Sequence, residues 1–108
     1  MNIRLPDSIA TFFQVSNGAG VSALTDCFTE NAVVRDEGHT HEGHKAIQMW
    51  LLEAQRKYAY RVEPIGLAQE GSTVKVHARV AGNFSGSPVQ LEHVFRLAGG
   101  MIQFLEIH

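Results

Sequence analysis

A chain of 108 residues with 44% apolar and 19% charged side chains is expected to be one folded domain, with room for one core and none for a second. A net charge of −2 with no basic stripe excludes a nucleic-acid surface, and no apolar run approaches a membrane span. Cys27 is the only cysteine, so no internal disulfide can form. The opening M-N-I-R-L-P-D lacks the apolar core of a signal peptide, and a reducing cytoplasm is the expected setting.

The first helix is expected from about Pro6 to Val15, with Pro6 in the first turn and Asp7 complementing the positive helix end. Ile9, Phe12, Phe13 and Ser16 share one face, and Asn17-Gly18 is a stop signal. Ser22 suits an N-cap for a short second helix through about Thr29, with Leu24, Cys27 and Phe28 at its apolar positions. Cys27 therefore reads as a buried, inert thiol. A strand from Ala32 into Asp36 follows, then a His-rich loop. The third helix starts near His44 and runs to Tyr58, with Ile47, Trp50, Leu51, Ala54 and Tyr58 forming one continuous stripe.

From Tyr60 the period changes to two. Tyr60 to Ala68 is the first extended run, and Pro64 in it suggests an edge or a bulge. Thr73 to Ala81 alternates, with Val74, Val76, Ala78 and Val80 opposite Lys75, His77 and Arg79. Gly82 to Pro88 is a turn region. Val89 to Leu97 alternates again, and Ala98-Gly99-Gly100 turns into a last strand, Met101 to Ile107. Three helices followed by an antiparallel meander is an α+β pattern.

The stretch Leu24 to Leu52, L-T-D-C-F-T-E-N-A-V-V-R-D-E-G-H-T-H-E-G-H-K-A-I-Q-M-W-L-L, resembles the opening of the SnoaL-like polyketide cyclase and ketosteroid isomerase group. That group belongs to the nuclear-transport-factor-2-like, or cystatin-like, superfamily. The later segment L-E-H-V-F-R-L-A-G-G-M-I resembles the same group's penultimate strand, turn and last strand. The resemblance spans nearly the whole chain, residues 1–108, as a single SnoaL-like domain. It implies helices packed in the concave face of a strongly curved antiparallel sheet, leaving a cone-shaped cavity. Many relatives carry a further tail, so the pocket is expected to be more open here, or closed by a second subunit.

The resemblance puts Asp36 where ketosteroid isomerases place their catalytic Asp, at the end of the first strand. Apolar walls would raise its pKa and make it a better acceptor for a carbon-bound proton. The alternative is a turn cap or a pair with Arg35 or Lys45. His93 is the one polar group in the row Val89, Leu91, His93, Phe95 and Leu97. By the resemblance it stands where ketosteroid isomerases carry the protonated Asp of their oxyanion hole; that enzyme is itself a standard example of an Asp base paired with such a hole. The alternative is a core histidine bonded to a backbone carbonyl. The donor tyrosine of those enzymes has no counterpart, because Phe12 or Phe13 stands in its place and neither donates a hydrogen bond.

Trp50, Phe12, Phe13 and Tyr58 are expected as pocket walls. His41 would join them if the extended loop turns it inward. The cluster of His39, His41 and His44 around Glu42 completes no standard metal signature, so a polar loop at the pocket rim is expected, and no metal. No phosphate loop or dinucleotide motif calls for a cofactor. The expected activity is a cofactor-independent isomerase, cyclase or hydratase acting on a small apolar carbonyl compound, with Asp36 as base and His93 as donor. The alternative is a non-catalytic module of the same fold that binds a small ligand or dimerises. A homodimer through the outer sheet face is expected if Val94 and Leu105 lie on that face.

Overall fold

The structure, a computed structural model, describes residues 4–108, so the N-terminal reading lies partly outside the described residues. Helix α1 spans Asp7–Ser16, a 3-10 turn covers Val21–Ala23 and the short helix α2 covers Leu24–Cys27. Strands β1 (Phe28–Asp36) and β2 (His39–Glu42) precede the long helix α3 (Gly43–Tyr58). Strands β3 (Arg61–Glu70), β4 (Thr73–Ala81), β5 (Val89–Ala98) and β6 (Met101–Ile107) complete a curved, unclosed sheet of six strands in the order β2-β1-β6-β5-β4-β3. The architecture is α+β. All neighbouring pairs are antiparallel except β1 and β6, which run parallel. Those two strands lie far apart in sequence, and a parallel pair needs such a long connection.

Two local expectations change. The second helix ends at Cys27, and Phe28 already begins β1 with its side chain fully buried. The His-rich segment is a strand rather than a loop: Asp36 pairs with His39 and Val34 with His41. Its turn explains this. Glu37 and Gly38 have φ of 53° and 78°, the two positive values of a two-residue hairpin whose twist matches its strands.

The core is a single cluster in which Ile9, Phe12 and Val15 of α1 meet Phe28 and Val34 of β1, Ile47 and Leu51 of α3, Val74 and Val76 of β4, Phe95 of β5 and Ile102 and Leu105 of β6. Each large apolar side chain buried here contributes roughly 2 kcal/mol. Cys27 belongs to this cluster, and burial pushes its thiol up to about 12, so it is inert at neutral pH. Of the α3 stripe, Ile47 and Leu51 are buried. Trp50, Ala54 and Tyr58 are only partly so, for a reason given below, and Met49 points to solvent.

Leu105 corrects the expected outer face. It pairs with Phe95 and is fully buried, so it belongs to the concave side, and Phe104 takes its place outside, with the Arg96 guanidinium 4.7 Å over its ring. The register shift between Arg96 and Leu97 moves the alternation of β6 by one position relative to β5. Glu106 lies opposite Val94 on that outer face. Pro64 sits on the edge strand beside a register shift, as its chemistry requires.

Candidate functional site

The concave side of the sheet is wider than the helices can fill. Near the C-terminal half of α3 it holds a cavity of about 480 Å³ lined by Phe12, Asp36, Trp50, Tyr58, Tyr60 and His93, with further walls from Ser16, Glu37, Ala54 and Phe84. Trp50, Ala54 and Tyr58 each face this space on one side, and so keep partial exposure.

Asp36 ends β1 at the hairpin, which turns its carboxylate to the cavity. The Trp50 indole N–H donates to Asp36 Oδ2 at 3.1 Å. Burial raises the pKa of Asp36 above 3.8; the Trp50 hydrogen bond opposes the rise, and the neighbouring Glu37 charge adds to it. Neither Arg35 nor Lys45 forms an ion pair with it among the described residues. A carboxylate with a raised pKa and a donor fixing its orientation is equipped to accept a proton.

Trp50→Phe removes the opposing hydrogen bond. The Asp36 carboxyl should then titrate at higher pH than in the wild type, as followed by carbon NMR of labelled aspartate. An unchanged or lower value would mean that the indole does not stabilise the carboxylate.

His93 is 4% exposed and lines the same cavity. Burial lowers its pKa from 6.5 to about 4, opposed in part by the Leu91 backbone. The ring is therefore neutral at physiological pH, and its buried Nδ1 has no hydrogen-bond partner. It is held between Phe13, at 5.3 Å between centroids, and Phe95, nearly parallel at 6.2 Å.

Of the expected wall residues, Phe12, Trp50 and Tyr58 line the cavity. Phe13 does not. It is buried and packs edge-on against Phe12 and Phe95, so it supports His93 from behind. His41 is also outside the lining; it is half-buried, with its ring 6.0 Å from that of Trp50. The histidines of the H-T-H-E-G-H segment diverge, since His44 Nε2 bonds the Phe28 carbonyl at 2.9 Å while His41 meets Trp50. No group of three or more His, Cys, Asp or Glu able to hold a metal occurs among the described residues. His77 is exposed and lies 3.8 Å from Glu92. The His108 backbone pairs with Glu92, and its side chain stays outside the cavity.

Sequence reasoning missed Tyr60, Ser16 and Phe84 as lining residues. Tyr60 reads as the start of a strand, and Phe84 lies in a turn-rich segment with no periodicity. Ser16 showed only its place on the buried face of α1.

The profile of the SnoaL-like domain matches residues 9–104. The chain belongs to the SnoaL-like family. A protein from Sinorhizobium meliloti, named as a candidate polyketide cyclase, is 38% identical with a TM-score of 0.92, over 96% of this chain and 95% of that one. A protein of unassigned function from Catenulispora acidiphila, with a ketosteroid isomerase-like fold and solved with trimethylamine, is 19% identical with a TM-score of 0.85, over 97% and 86%. SalBIII, an epoxide hydrolase/cyclase-like enzyme of pyran ring formation in the polyether salinomycin, is 23% identical with a TM-score of 0.77, over 94% and 86%. Likeness at the last two identities speaks for the fold alone. Among curated protein sequences, none matches this one.

Proposed function

We propose that this SnoaL-like protein is a cofactor-independent isomerase or cyclase that moves a proton on a small, largely apolar carbonyl compound. Asp36 is the base and His93 a neutral hydrogen-bond donor to the ligand oxygen. The observation that carries the reading is the meeting of these two groups, one from β1 and one from β5, in one cavity whose walls are mainly aromatic and aliphatic. The neutral imidazole of His93 can offer an N–H to a ligand oxygen in that cavity. The likeness to the Sinorhizobium protein favours ring-forming chemistry on a polyketide-type carbonyl chain.

The test is solvent deuterium exchange into the α-carbon of a hydrophobic ketone, 2-tetralone, followed by NMR. Exchange above the buffer rate that Asp36→Asn removes supports the reading. Exchange untouched by that change removes Asp36 from the chemistry.

A second reading is a non-catalytic binding module in the cytoplasm. It is favoured by the missing tyrosine on α1, where Phe12 faces the cavity. Binding without any exchange across a panel of ketones would establish it.

Homodimerisation goes with either reading. Val33, Val94 and Phe104 stay half-exposed on the outer sheet face and would be covered by a second copy. Sedimentation at high micromolar concentration should give a dimer that Phe104→Glu dissociates; a wild-type monomer there overturns the proposal.

A further inference from the structure

We propose that Tyr60 is a second hydrogen-bond donor of this site, holding the oxygen on which negative charge develops while Asp36 moves the proton. The inference rests on the proton-transfer reading above and supplies a phenolic hydroxyl, which Phe12 and Phe13 of the first helix lack.

The backbone around Tyr60 is fixed by three independent features. Helix α3 ends in Ala59, whose φ of 43° and ψ of 59° are left-handed, a conformation that disfavours a side chain by about 1–2 kcal/mol. The Asn83 N–H donates to the Tyr58 carbonyl at 2.9 Å and ties the turn after β4 to the helix end. Gly82 lies so close that a Cβ on it would meet Tyr60 Cα and Cβ at 2.8 Å and the Tyr58 carbonyl at 3.0 Å. Only glycine fits there. A strained residue, an obligatory glycine and a cross-turn hydrogen bond thus converge on one tyrosine, and its ring lines the cavity with Asp36 and His93.

The hydroxyl is suited to donate. Ser16, 3% exposed on α1, lines the cavity beside Tyr60, and the phenol, which can donate as well as accept, has a proton to offer a ligand oxygen there. Burial and, less strongly, the Asp36 charge raise the Tyr60 pKa above 10, so the group remains a donor at neutral pH. Tyr58 is placed differently. Its ring packs edge-on against Phe84, and the Lys57 ammonium sits 5.0 Å from its centroid.

The proton step balances within these groups. Asp36 takes the α-proton, the C–H electron pair forms the enolate C=C bond, and the carbonyl π pair moves to oxygen. Tyr60 donates a hydrogen bond to that oxygen without losing its proton. Asp36 then returns its proton to carbon, and the C=O bond re-forms.

The test uses two probes, 2-tetralone for exchange and 2-naphthol, an aromatic oxygen acid, for binding. Tyr60→Phe should lower kcat for exchange about 10²-fold with KM little changed, and weaken 2-naphthol about tenfold. Gly82→Ala, which displaces Tyr60 without altering its chemistry, should weaken 2-naphthol similarly, and the double variant should be no worse than Tyr60→Phe. Loss of naphthol affinity in Tyr60→Phe supports the inference even if Asp36→Asn leaves exchange intact, an outcome that sinks only the base assignment. Wild-type kcat and naphthol affinity in Tyr60→Phe, or no naphthol binding by the wild-type protein, overturns the inference.

Discussion

Asp36→Asn is expected to lower ketone α-proton exchange by about 10³-fold, within the range that a positioned general base contributes. The fold should survive, because the Asn amide oxygen still accepts from the Trp50 indole. Stability should change in the opposite direction to activity. The carboxyl pKa is raised in the folded protein, chiefly by burial, so the unfolded chain releases that proton more readily. The native state is therefore penalised as pH rises through the folded value, and relieved as pH falls below 3.8. Asn carries no such penalty. Urea titrations should show the variant more stable than the wild type at pH 7, with the gain fading in acid. A variant that is inactive and more stable marks a carboxylate kept for chemistry; one that is inactive and less stable would mark Asp36 as structural.

His93→Phe is expected to give the second large effect. With a pKa of 6.5 unfolded and about 4 folded, His93 binds its proton in the unfolded chain first as pH is lowered. Its contribution to stability is complete above 6.5, drains away as pH falls towards 4, and totals about 3 kcal/mol across that window. Phenylalanine has no such dependence and leaves no unpartnered nitrogen among Phe12, Phe13 and Phe95. Asp36 is present in both proteins, so its opposite dependence cancels in the difference. Urea unfolding at pH 7 and pH 4.5 should show the variant gaining on the wild type in acid, while its affinity for 2-naphthol falls at pH 7. Equal acid sensitivity of the two proteins would mean that His93 is not held neutral by burial.

The residue pattern by itself determined the order of the elements, the α+β class and the apolar faces. Periods of 3.6 and two are written into the chain at Ile47, Leu51 and Tyr58 and at Val74, Val76 and Ala78. Asp36 and His93 stood out mainly through the resemblance to ketosteroid isomerases, with local support from a polar residue ending an apolar strand and another breaking an apolar row. The resemblance implied a hairpin loop at His39–Glu42, but its pairing as a strand was hidden, because four residues between a turn and a helix carry no period and the positive φ of Glu37 depends on the pairing that follows. The facing of Leu105 was also hidden, since a register shift between two strands moves the alternation by one position and is fixed only when they pair.

Tertiary structure alone decided which members of the α3 stripe are enclosed on all sides and which border the cavity. One amphipathic face becomes core at Ile47 and Leu51 and cavity wall at Trp50, Ala54 and Tyr58. It alone brought Tyr60 to Ser16, because a left-handed Ala59 and a close approach at Gly82 are long-range outcomes of chain packing. A sequence states what each side chain can donate, accept or bury. Which of them share one dry space is set by the curvature of the sheet around the helices.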